Sequence, residues 1–374
     1  MAAENLPIPQ QPVPQSFVPV AWAPLPPPPP LPSPQKELRR DLRDVVLVLL
    51  AVYITMNVAA VLVTAMLLIL SPEFLDMLAR MMADGPANAQ DLMEGVGVEQ
   101  LTSDFLARSM GLVQILSMAV ALPWVLLLRG KKLFTHDLVA VNQKARPSSI
   151  FKVLVLMLGV ACATELIALA LTPLLDQSGV SLTDSMDDAV SLLLSDPWGL
   201  VAVMVLGPIM EEVIFRGAIL NTLARHGYNF AIVTSALLFG LYHVILVQGF
   251  NAFFLGILLA YVALRYSLKW SMVLHVLYNS IVVGLSFLDV TGVDPFIANW
   301  AFMGLCLAAS VFLLVLKRAE IPRIRQMGVA QAAYSQVARP FQAAFTSPFL
   351  LLFVLLFLAM GALLLMMPDL LGAY

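Results

Sequence analysis

The sequence predicts an all-α protein, a polytopic transmembrane helical bundle of about nine spans, with eight as the smaller count. Three observations carry this. Of 374 residues, 60% are hydrophobic and 12% charged, where a soluble domain has about 25% charged residues. The mean hydropathy is +0.89. Apolar runs near the ~20 residues needed to cross a bilayer recur along the chain.

Taken in order, residues 1–35 hold more than half of the chain's 25 prolines, including Pro26 to Pro30, with almost no charge. Proline lacks a backbone donor and favours polyproline II, so this segment reads as a disordered cytoplasmic tail. It has neither a basic start nor an apolar core, so no cleavable signal peptide is expected. Residues 36–374 read as one membrane-embedded domain. Spans are expected near 45–70, 110–128, 151–175, 198–222, 230–247, 250–265, 270–288, 297–316 and 345–367, the sixth being short. Phe74, Leu78 and Met81 recur at helical spacing in the loop 71–109, which suggests a helix lying on the membrane surface; the basic segment 317–340 reads similarly.

Basic residues fall on alternate loops: Lys36 to Arg43, Arg129 to Arg146, Arg225, Arg265 with Lys269, and Lys317 to Arg339. The other loops are acidic, so the N-terminus is expected in the cytoplasm and the C-terminus outside. A bacterial plasma membrane suits this pattern. Lys plus Arg number 21 against 24 Asp plus Glu, which argues against a nucleic-acid partner. Cys162 and Cys306 both lie in apolar runs, so neither a disulfide framework nor a Cys-based metal site is expected.

Ionisable groups at bilayer depth cost at least ~2.5–3.5 kcal/mol each, so a cluster of them needs a reason. The fourth span carries Gly-Pro-Ile-Met-Glu211-Glu212-Val-Ile-Phe-Arg216. Glu212 and Arg216 are four apart and share a helix face, which suits a structural ion pair. Glu211 is turned about 100° away and gains nothing from that pairing. Low dielectric makes an unpaired carboxylate a stronger base, matched to neutral pH as a general base requires. His243 falls in the fifth span, and His275 and Asn279 share a face of the seventh. His136 and His226 fall in loops. Glu165 stands in the third span without a companion motif. By helical rise Glu211 and His243 lie at matching depths, ~20 Å from the cytoplasmic ends of their helices. His275 comes out about 12 Å shallower unless the turn at Lys269 is drawn into the protein. A base, two imidazoles and an amide on three helices are the parts of a water-activating site.

Three motifs follow one another here: Glu-Glu-x-x-x-Arg at Glu211, Glu212 and Arg216; Phe-x-x-x-His at Phe239 and His243; His-x-x-x-Asn at His275 and Asn279. In order and spacing they resemble the CPBP family, the CAAX-protease and bacteriocin-processing intramembrane proteases, over about residues 197–290. The resemblance implies an intramembrane endopeptidase acting on a membrane-associated protein or peptide. Glu211 and His243 would deprotonate a water and His275 and Asn279 would stabilise the oxyanion, with Glu212 and Arg216 structural. No cofactor is favoured; zinc on Glu211, His243 and His275 is the alternative. The competing readings are a proton-coupled transporter, against which the missing repeats count, and a non-catalytic scaffold or immunity protein.

Overall fold

The computed structural model describes residues 33–84, 98–176, 196–286, 295–318 and 339–366, and no strand occurs among them. The expected proline-rich tail up to residue 32, most of the acidic loops and the basic segment 319–338 lie outside the described residues.

Helix α1, Pro34–Ile69, is followed by α2, Pro72–Asp84. Ser71 starts α2 by accepting the Phe74 N–H at 3.2 Å, with Pro72 at a first-turn position that needs no donor. Leu75, Leu78 and Met82 are exposed, as expected of a helix lying on a membrane surface. Helix α3, Val98–Ala121, runs through a tighter turn at Leu122–Val125 into Leu126–Arg129; Pro123, which has no N–H to give, marks the change. Helix α4 is Pro147–Asp176 and α5 is Pro197–His226. The site helices follow: α6, Tyr228–Tyr242; α7, Leu246–Arg265; α8, Leu268–Ser286. Helix α9, Pro295–Lys317, the short α10, Pro340–Phe345, and α11, Pro348–Met366, complete the order.

Among the described residues, seven helical stretches are long and apolar enough to cross a membrane, and α6 and α11 are shorter apolar helices. The chain is therefore a multi-pass integral membrane protein. Its polarity is arranged for lipid: Ile54, Val61 and Leu62 are about 60% exposed while Glu212, Arg216 and His275 are at most 2% exposed.

One expected span needs correcting. The sixth is not the short one: α7 has 20 residues, and α6, with 15, is the shortest of the site helices. The expected fifth span, 230–247, breaks at His243, because the chain turns at Val244 with φ +61° before α7 begins. A β-branched residue there is strained. The turn also lets α6 and α7 pack on each other: a Cβ on Gly240 would stand 2.6 Å from the Gly249 carbonyl oxygen, so only glycine permits that approach.

At the end of the bundle where α1 starts and α5 ends, Asp41 accepts from Arg225 Nε at 2.6 Å, from Arg225 Nη2, and pairs with His226 Nε2 at 2.7 Å. His226, expected in a loop, is buried in this cluster, since it closes the last turn of α5 against α1. Arg129 makes a second such pair, bidentate to Asp137 at 2.7 Å.

Candidate active site

Helix α5 has two wide-turn stretches, Ala202–Leu206 and Val213–Leu220, in which the hydrogen bonds skip five residues. They flank Gly207–Glu212, so both glutamates sit between two irregularities, a common setting for functional side chains. The first has a cause in the sequence. Gly207 N–H bonds to the Ala202 carbonyl; continuing that pattern, the Val203 carbonyl would look to residue 208, which is proline and has no N–H. Asn279 of α8 fills the gap, its Nδ2 donating to the Val203 carbonyl at 3.0 Å. One of its two amide protons thus ties α8 to the proline break, a structural duty the spacing did not reveal.

Glu212 lies behind the site, fully buried, as the centre of a polar group. Its Oε1 is 2.9 Å from Arg216 Nη1 and 3.0 Å from His275 Nδ1, and its Oε2 takes the Ser271 hydroxyl at 2.5 Å. Arg216 makes a close ion pair, but its nitrogens lack well-directed hydrogen bonds; its guanidinium lies 4.2 Å over the Phe239 ring, so charge and ring attraction hold it. Glu212 is therefore more than the partner of Arg216: it also sets the tilt and tautomer of His275. Because a carboxylate only accepts, His275 Nδ1 must carry a proton.

Glu211 faces the other way, into a cavity of about 250 Å³ that His243, His275 and Asn279 also line. His275 Nε2 is 3.6 Å and His243 Nε2 3.9 Å from the Glu211 carboxylate oxygens. His243 stands one residue past the end of α6, where its Nδ1 donates to the Phe239 carbonyl at 2.8 Å, a group the helix leaves unpaired. That bond fixes its tautomer. In the neutral ring Nε2 is then an acceptor facing an acceptor carboxylate, too far for direct bonding and spaced for a bridging water.

All four expected catalytic residues thus meet in one cavity. The expected 12 Å shortfall of His275 is overturned, and the reason is the turn between α7 and α8. Tyr266, Ser267 and Leu268 are buried, and Asn142 covers the turn, its N–H on the Tyr266 carbonyl at 2.8 Å and its Nδ2 on the Leu264 carbonyl at 2.9 Å. With its backbone satisfied, the turn sits inside the protein and lowers His275 to Glu211. Glu165 is exposed on α4 and does not line the cavity. Ser271 went unrecognised, although Ser271, His275 and Asn279 recur at intervals of four along one face of α8. Gln114, Gln248, Asn251 and Tyr278 also line the cavity; single amides and a tyrosine in apolar helices give no signal of their own.

The donor types of Glu211, His243 and His275 suit zinc. As arranged, however, no three His, Cys, Asp or Glu side chains among the described residues are gathered so that they could hold a metal ion.

A helical membrane bundle with a half-buried carboxylate facing two imidazoles defines a candidate intramembrane hydrolase. Residues 193–281 match the family model described as Rce1-like, Type II CAAX prenyl endopeptidase, which supports the CPBP/CAAX-protease family and, for this segment, an endopeptidase of that type. The matched segment contains every residue of the three motifs. No curated protein and no solved structure matches the chain.

Proposed function

We propose that this protein is an intramembrane endopeptidase that hydrolyses a peptide bond in a membrane-associated protein or peptide, with water activated by Glu211 and His243. The observation that supports it best is the placing of the Glu211 carboxylate 3.9 Å from His243 Nε2 and 3.6 Å from His275 Nε2. A water lying between Glu211 and His243 donates one hydrogen to each, which turns a lone pair toward a carbonyl carbon in the cavity. As the oxygen attacks, its proton passes to Glu211. The intermediate collapses with rupture of the C–N bond, and Glu211 returns that proton to the departing nitrogen. The products are a carboxylic acid, which keeps the water's second hydrogen until it ionises in solvent, and an amine.

The developing oxyanion needs donors. His275 supplies one from Nε2 when its ring carries both protons, with the Glu212 carboxylate accepting at Nδ1. Asn279 has one amide proton left after bonding Val203. The scheme uses no metal. Zinc on Glu211, His243 and His275 would require these side chains to gather more closely than they stand. Activity that disappears on chelation and returns with added zinc, alongside about one metal per chain, would replace the glutamate scheme; activity kept by metal-depleted enzyme supports it.

The family description supplies the substrate to try first: a prenylated peptide ending in a CAAX sequence, labelled with a fluorophore and offered to purified protein in liposomes. Mass spectrometry should find cleavage at one internal bond. If no peptide bond of any membrane protein is cut, and the liposomes instead take up a solute along a proton gradient in a Glu211-dependent way, the chain is a transporter.

A further inference from the structure

Two residues of the same cavity have no part in the hydrolytic scheme and are incompletely hydrogen-bonded. Asn251 of α7 donates through Nδ2 to the Tyr278 hydroxyl of α8 at 2.8 Å. That leaves Asn251 Oδ1 buried with no partner among the described residues. The Tyr278 hydroxyl, being the acceptor of that bond, keeps its own proton to donate. Tyr278 is only 4% exposed, so neither group is freely served by bulk water. A buried amide oxygen left unpaired is costly, and such groups in native structures mark a role or a missing partner.

One acceptor beside one donor is the complement of a single residue in an extended chain, whose N–H and C=O point to the same side. We propose that Asn251 and Tyr278 hold one extended residue of the bound substrate, its N–H on Asn251 Oδ1 and its C=O on the Tyr278 hydroxyl. Tyr278 follows His275 by three residues, ~4.5 Å along the helix axis. Successive Cα atoms of a peptide are ~3.8 Å apart. The residue held there therefore lies next to the scissile bond, and the pair sets which bond stands over Glu211. Gln248, three residues before Asn251 and lining the same cavity, extends the amide-bearing face toward the start of α7. Both residues are positioning groups; the inference rests on the peptidase reading for the identity of the ligand.

The test separates this pairing from a mere tie between α7 and α8. The labelled peptide is prepared with each amide in turn replaced by an ester, which deletes one N–H. Binding is read by fluorescence anisotropy on the Glu211→Gln protein, which binds without turnover. One ester position should weaken binding about tenfold, as expected for loss of a hydrogen bond to a buried group. Added to the same protein, Asn251→Leu should weaken the parent peptide similarly and abolish the penalty at that one position, because the two changes delete the same bond. Tyr278→Phe, which removes only a hydroxyl and keeps the packing, should weaken the parent peptide about tenfold and leave the ester pattern in place. Equal penalties in the host and in Asn251→Leu at every position, or parent-peptide binding unchanged by Tyr278→Phe, would overturn the subsite. Wild-type cleavage of the peptide without coupling sinks the subsite and leaves the peptidase. Coupling with no cleavage by wild type does the reverse.

Discussion

His275 stands between two consecutive carboxylates, with Nδ1 3.0 Å from Glu212 Oε1 and Nε2 3.6 Å from Glu211 Oε2. One ring can reach both because neighbouring residues on a helix point about 100° apart and α8 packs against α5 at this level. In the proposed scheme Glu212 acts on chemistry through His275. Glu212→Gln keeps the size but removes the charge that orients the ring, so kcat should fall about 10–100-fold, the range seen when such outer partners are lost, with KM near wild type. Steady-state kinetics on folded protein checks this; an unchanged kcat would make Glu212 purely structural.

Arg216 should behave differently. Arg216→Ala leaves Glu212 and its shell buried without their cation, a change that typically costs about 3–5 kcal/mol. The melting temperature in detergent should drop sharply, and replacing both residues by Met should recover part of the loss. A stable Arg216→Ala protein would show that His275 alone neutralises Glu212.

The last helix braces the turn that holds His243. A Cβ on Gly361 of α11 would stand 2.7 Å from the Val244 carbonyl oxygen, next to His243. Gly361→Val should therefore push that turn and shift the ring. A misplacement of ~1 Å costs about 100-fold in rate when positioning matters, so kcat should fall while peptide affinity holds. Loss of affinity with kcat unchanged would place α11 at the substrate instead.

By charge bias the loop after α3, with Arg129, Lys131, Lys132, Lys144 and Arg146, is expected in the cytoplasm. Reporters inserted within 130–148 and fused after Tyr374 should report opposite sides of the membrane if α6 and α11 both cross, despite their 15 and 19 residues. Like signals from the two would mean that one of these short helices is re-entrant.

Much of this site was legible before any coordinates. Glu211, His243, His275 and Asn279 announce themselves because polar groups in apolar spans are expensive and here recur on successive helices. What the sequence concealed were matters of tertiary position. Helical rise placed His275 too shallow, since nothing local says that the turn at Ser267 is buried under Asn142. The duty of Asn279 depends on a wide turn created by Pro208, and that of Ser271 on facing Glu212, fifty-nine residues away. The break at His243 was missed because the apolar run continues through Val244 and Ile245, and hydropathy carries no trace of a positive φ.

The central claim is that Glu211 is the base. Its most direct measurement is the cleavage rate of purified Glu211→Gln relative to wild type in the same liposomes, with equal melting temperatures as the control for folding. Glutamine keeps the volume and can still accept a hydrogen bond from the water, but it cannot take the proton. Loss of general-base catalysis is worth about 10²–10⁴-fold, so kcat should drop by at least two orders of magnitude with little change in peptide binding. A Glu211→Gln enzyme that cleaves within a few-fold of wild type would contradict the account.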